Sequence, residues 1–196
     1  MTNMIILLLL AASFGFAETA PTNWSGDYPP CNHHPDLLNR EHVVLGVRIS
    51  TSNKILARQF ARAMDFWSGI LDLEWHEVDS QDCSIQLVDG TPDLFDPAAI
   101  AARSQYPDRP AFQGWIAFNP RSELTERDMF HVSIHEIGHL LGLPHNSSGS
   151  SVMFFLNLDE SLSLDTTDLN MLARRHTLRA DIFGDSGIAV APVRVP

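Results

Sequence analysis

Apolar residues recur along this chain with two different periods, and the change from one to the other marks out its elements. Val43-Val44-Leu45-Gly46-Val47-Arg48-Ile49 is rich in β-branched residues and predicts a strand. Leu56, Phe60, Met64, Trp67 and Leu71 then follow at steps of three and four, the spacing of one helical face. Ser52 or Asn53 stands where a cap for that helix belongs. Residues 73–78 and 83–88 read as two further strands, and residues 114–119 as another. Between them, prolines and aspartates dominate residues 89–110, where Pro97-Ala98-Ala99-Ile100-Ala101-Ala102 is expected to start a short helix.

The helical period returns near Thr125, which is spaced from Asp128 like a capping pair. Phe130, Ile134, Ile137 and Leu141 line its expected core face, and Gly142 is suited to end it in the left-handed conformation. A third helix is expected over residues 166–175, with Asp165 and Asp168 at its N-terminal end, where the helix dipole favours them. Residues 188–196 read as an extended tail. Strand, helix, then several strands imply an α/β sheet with helices packed on it.

The chain begins differently. Residues 4–17 form an apolar run of signal-peptide length, too short to span a bilayer as a helix. Gly15 and Ala17 place the expected cleavage after Ala17, although the usual positive charge before the run is missing. The expected organisation is therefore a signal peptide (1–17), a proline-rich leader (18–42), one domain (43–180) and an extended C-terminal tail (181–196). Secretion, extracellular or periplasmic, is the expected destination. The formal net charge of −11 repels phosphate backbones and argues against a nucleic-acid partner. No membrane span is expected, and a monomer is the expected state. Cys31 and Cys83 remain after cleavage, and in an exported chain such a pair forms a disulfide.

The chemistry is concentrated in His135-Glu136-Ile137-Gly138-His139-Leu140-Leu141-Gly142-Leu143-Pro144-His145. His135 and His139 are four apart and project from one helix face about a turn apart, so both rings reach one metal ion. A reversal at Gly142 brings His145 back as a third nitrogen. Three histidines with an open fourth position form the donor set of a catalytic zinc, since structural zinc sites are closed by four protein ligands. Glu136 directly follows the first ligand, and there its carboxylate can take a proton from water and return it to a leaving amine.

This histidine pattern, followed by Ser151-Val152-Met153, resembles the metzincin signature and its Met-turn. Met153 lies eight residues past His145, the short interval of the matrixins, the matrix-metalloproteinase-like group. Residues 60–67 with Leu73-Glu74-Trp75 resemble the matrixin first helix and following strand, and residues 162–169 resemble the opening of its last helix. The resemblance implies a twisted, mostly parallel five-stranded sheet with three helices and zinc in a cleft. It also implies cleavage of peptide or protein substrates, with Met153 as a floor under the histidines. Phe154 and Phe155 are expected beside the pocket next to the metal.

The chain departs from the family in several places. Asn146 stands where serine is usual, and no histidine lies between Cys83 and Phe130 for a second, structural zinc. Asp89, Asp93 and Asp96 lie in a loop where calcium is conceivable, although solvated carboxylates are the plainer reading. Pro30-Cys31-Asn32-His33-His34-Pro35-Asp36 has some likeness to the cysteine segment of latent family members, so Cys31 has two readings: disulfide partner of Cys83, or a thiolate on zinc. Endopeptidase activity is the leading expectation, with a zinc-retaining binding module of little catalysis and a zinc amidase of cell-wall peptides as alternatives.

Overall fold

A computed structural model of the protein describes residues 42–95, 101–105, 113–154, 161–179, 182 and 191–196. Cys31, Asp96, Phe155, the signal and leader segments up to residue 41, and most of residues 180–190 lie outside the described residues.

The first strand, β1 (Val43–Ser50), sits inside a five-stranded sheet. It pairs in parallel with β2 (Leu73–Glu77) on one side and β3 (Ile85–Asp89) on the other. β3 pairs in parallel with β5 (Gly114–Phe118), and β4 (Ala102–Gln105) closes the far edge antiparallel to β5. The order is therefore β2-β1-β3-β5-β4, the mostly parallel sheet expected. Leu45, Val47, Ile85, Leu87 and Ile116 are fully buried, as parallel strands covered by helices require.

One expectation is limited here. Ala102 opens an edge strand instead of belonging to a helix begun at Pro97, and residues 97–100 lie outside the described residues. Ala102 pairs with Phe118 and Ser104 with Ile116. The strand is hard to see in sequence because Arg103 and Ser104 dilute its apolar pattern, and only the neighbouring β5 gives it its shape.

Helix α1 (Lys54–Ile70) starts on Asn53, whose side chain accepts from the backbone N–H groups of Ile55 and Leu56. Its predicted face, Leu56, Phe60, Met64, Trp67 and Leu71, is buried throughout. Helix α2 (Glu126–Leu140) opens with the predicted capping box, Thr125 with Asp128. The two helices pack on each other. Glu126 accepts from Arg58 at 2.7 Å and Gln59 at 2.9 Å, and the Trp67 indole N–H donates to the Ile134 carbonyl at 3.3 Å.

Helix α3 (Thr166–Ala173) begins on a second capping box, Asp165 with Asp168, and ends two residues before the expected Arg175. The short strand β6 (Ser163–Leu164) precedes it and pairs antiparallel with β7 (Val193–Arg194), so this part of the tail lies against the domain with Val195 buried. Among the described residues, no helix is long and apolar enough to cross a membrane. Asp89 accepts from the Thr51 hydroxyl and from the backbone and hydroxyl of Ser52, which ties its carboxylate to the turn before α1.

His131, one turn before the first candidate ligand, is buried in the core with its Nε2 3.5 Å from the Pro196 carbonyl oxygen. Burial holds its pKa below the ordinary 6.5. A histidine whose pKa is depressed by folding contributes full stability above 6.5, and that contribution falls as protons force the ring to charge at lower pH. His131→Phe should therefore show a smaller loss of denaturant stability between pH 7.5 and 5.5 than the wild-type protein. Equal losses would show that His131 is not the titrating group.

Candidate metal centre

Helix α2 carries two of the three candidate ligands and fixes them by its own pitch. His135 and His139 lie on its half-buried face, with ring centroids 4.7 Å apart. The helix ends at Leu141 in a Schellman arrangement: the Gly142 N–H bonds the His139 carbonyl at 2.9 Å, and the Leu143 N–H bonds the Gly138 carbonyl at 2.9 Å. Gly142 has φ 95°, a conformation glycine takes without steric cost. That turn reverses the chain, and His145 arrives with its ring 4.8 Å from His139 and 5.3 Å from His135. One nitrogen from each of the three rings lies within 4.8 Å of the others. The residues singled out by spacing are thus brought together.

The hydrogen bonds test whether these rings suit a metal. His135 Nδ1 lies 2.7 Å from the Val152 carbonyl oxygen, and His139 Nδ1 lies 2.7 Å from that of Leu143. A carbonyl only accepts, so each Nδ1 must carry the proton, which leaves each Nε2 with a lone pair in the neutral ring. Those two Nε2 atoms face each other at 3.1 Å. Burial and the adjacent His135 push the His139 pKa down to about 3, so the His139 ring carries no second proton at neutral pH. Burial and His135 also lower the pKa of His145. Two lone pairs at that distance repel unless a cation lies between them. Tetrahedral zinc with Zn–N bonds of ~2.05 Å would set two such nitrogens about 3.3 Å apart. The residues fit zinc.

Glu136 is 8% exposed. Its charge acts on the His145 ring, so the carboxylate lies at the histidine cluster. Met153 is fully buried against α2: a Cβ added to Gly138 would lie 2.7 Å from its sulfur. The Met-turn is held from several sides. The Met153 carbonyl accepts from the Asn146 N–H at 3.0 Å, and the Met153 N–H donates to the Ser151 hydroxyl at 2.9 Å. Ser151 donates in turn to the buried carboxylate of Asp168 at 2.7 Å. Burial raises the Asp168 pKa, and the bonds from Ser151 and Asn146 work against that rise.

Three residues escape a reading by ligand spacing. Gly138 is needed because the methionine sulfur occupies the place of a side chain, and its signal is a glycine inside a helix where it costs ~1 kcal/mol relative to alanine. Val152 and Leu143 act through their carbonyls, which no side-chain pattern reveals. Phe154 follows the Met-turn within the described residues, whereas Phe155 does not.

Comparison with known proteins agrees with this arrangement. The family model for matrixin matches residues 42–176. Human matrix metalloproteinase-17 is 29% identical over 139 residues, covering 61% of this chain and 23% of that protein. Rat macrophage metalloelastase is 27% identical over 105 residues, covering 48% of this chain and 22% of its own length. Human matrix metalloproteinase-26 is 31% identical over 104 residues, covering 47% of this chain and 39% of its own. The chain thus spans well under half the length of these curated relatives.

The close approach of Met153 gives a direct test. Gly138→Ala places a methyl against a buried thioether, and overpacking of this kind costs roughly 1–3 kcal/mol. Denaturant unfolding should show that loss together with weaker zinc retention in a chelator titration. Wild-type stability and zinc retention in the variant would show that the contact between Gly138 and Met153 is not tight.

Proposed function

Because the chain belongs to the matrixin family, we propose that it is a zinc-dependent endopeptidase of peptides or proteins. The observation that carries this reading is the pair of Nε2 atoms at 3.1 Å, each with its Nδ1 locked on a backbone carbonyl. With His145 they form three neutral imidazole donors and leave a fourth position open, as catalytic zinc requires. Zinc held there supplies a Lewis acid that polarises the substrate carbonyl and acidifies water.

The remaining work falls to the protein's own groups. His135 and His139 bind through the nitrogens not engaged by the backbone, and His145 supplies the third nitrogen. Glu136 sits at the cluster, so an oxygen of its carboxylate accepts the proton of the attacking water and delivers it to the departing amine nitrogen. Met153 and Gly138 keep the underside of the histidine pair dry and rigid.

The proposal extends to the setting of the domain. Residues 1–17 act as a signal peptide, residues 43–180 form the catalytic unit, and the protein works outside the cytoplasm. Cys83 is fully buried, and in an oxidising compartment it pairs with Cys31, tying the leader to the sheet. Reducing conditions would then loosen the leader without disturbing the histidines.

Glu136→Ala should lower cleavage of a quenched peptide library by roughly 10²–10⁴-fold, the usual worth of a general base, while one zinc per chain is retained. His145→Ala should lose both zinc and activity. Equal turnover in wild type and Glu136→Ala would rule out the assigned proton transfer. Wild-type protein that holds zinc yet cleaves nothing in the library would favour a binding module.

A further inference from the structure

Helix α3 is only eight residues long, yet side chains at its two ends bond the chain on the two sides of the third ligand histidine. At its C-terminal end, Arg175 Nη1 donates to the Gly142 carbonyl at 2.6 Å, and His176 Nε2 donates to the Leu141 carbonyl at 2.8 Å. Those carbonyls belong to the turn that ends α2, where the helix offers no partner of its own. At its N-terminal end, the Asn146 amide donates to Asp165 at 2.9 Å and to Asp168 at 2.8 Å. Asn146 directly follows His145. The same residue bonds Met153 through its backbone N–H, and its side-chain oxygen accepts from the Ser148 N–H at 2.9 Å.

We propose that α3 is a brace for the third zinc ligand, with Asn146 and Arg175 as positioning residues that hold the loop on either side of His145. The proposal rests on the zinc reading above. Two of the ligands are fixed by α2 itself, because a helix sets the offset of residues four apart. His145 has no such support. It lies on an exposed loop, and its place is set by the backbone on either side. Both flanks are anchored to one short helix, so the loop cannot drift without breaking bonds at α3.

The chemistry of Asn146 makes its role specific. An amide carries two N–H donors and reaches two carboxylates at once. A serine hydroxyl, the usual family residue there, has a single proton and would serve one of them. Asn146 thus adds a link to Asp165, the residue that caps α3, and joins the ligand loop to the start of that helix. At the other end, the Arg175 guanidinium completes the same span from the surface.

A brace of this kind sets how long zinc stays, because groups that orient ligands are typically worth 10–100-fold in metal affinity. The test uses the full secreted chain loaded with one zinc, and follows release to a chromogenic chelator. Asn146→Ala and Arg175→Met should each release zinc about ten times faster or more, and Arg175→Lys, which keeps a donor, should recover most of the wild-type rate. The cobalt-substituted variants should show altered d–d absorption, because the third ligand is displaced. Asn53→Ala, which weakens a remote helix cap on α1, should leave release and spectrum unchanged. Arg175 is exposed, so its variants should fold even if Asn146→Ala does not. Wild-type protein that takes up no zinc would overturn both the zinc reading and the brace. Stoichiometric zinc in the wild type, with unchanged release and cobalt spectra in both variants, would overturn the brace alone.

Discussion

Two imidazole nitrogens that face each other across 3.1 Å impose the constraint on which the rest of the structure depends. That spacing requires both rings to be fixed in plane and tautomer by the fold. The Val152 and Leu143 carbonyls hold it by fixing both tautomers and both ring planes. Those carbonyls are useful only where the backbone puts them. Leu143 owes its place to the Schellman turn at Gly142, and Val152 owes its place to the Met-turn, whose N–H bonds the Ser163 carbonyl at 2.8 Å. The geometry of the cluster is therefore set by the loops around α2.

The sheet contributes to the site at one remove. Its buried strands give α1 a surface on which to pack, and α1 in turn supports α2 through Trp67 and the Glu126 contacts. Trp67 is fully buried, bonds the Ile134 carbonyl and lies 3.4 Å from the place of a Gly138 side chain. The ligand helix is thus held from beneath by α1 and by Met153. On its other flank, β6 and β7 attach the Met-turn to the tail, with the Val195 N–H on the Leu162 carbonyl at 2.9 Å.

Much of this is legible in the sequence, for local reasons. The faces of α1 and α2 can be read because a helix repeats every 3.6 residues, and their caps because Asn53, Thr125 and Asp128 bond the backbone within a few positions. The histidine triad can be read because two of its members share a helix face and Gly142 announces the turn. What escapes is non-local. β4 has no apolar pattern of its own and becomes a strand only by pairing with β5. The roles of Gly138 and of the Val152 carbonyl depend on segments more than ten residues away, and the reach of Arg175 to Gly142 crosses 33 positions. Asn146 is visible in the sequence as a departure from serine, but its meaning requires both aspartates in space.

The central claim is that three neutral imidazoles hold one zinc ion and leave a coordination position for chemistry. X-ray absorption at the zinc edge, on the purified protein with its metal content measured, tests it most directly. The account predicts one zinc per chain with three imidazole nitrogens and one further light-atom ligand, at ~2.0–2.1 Å. A sulfur neighbour at ~2.3 Å would place the Cys31 thiolate on the metal and contradict the open position; a fourth imidazole, or no bound zinc, would contradict the site itself.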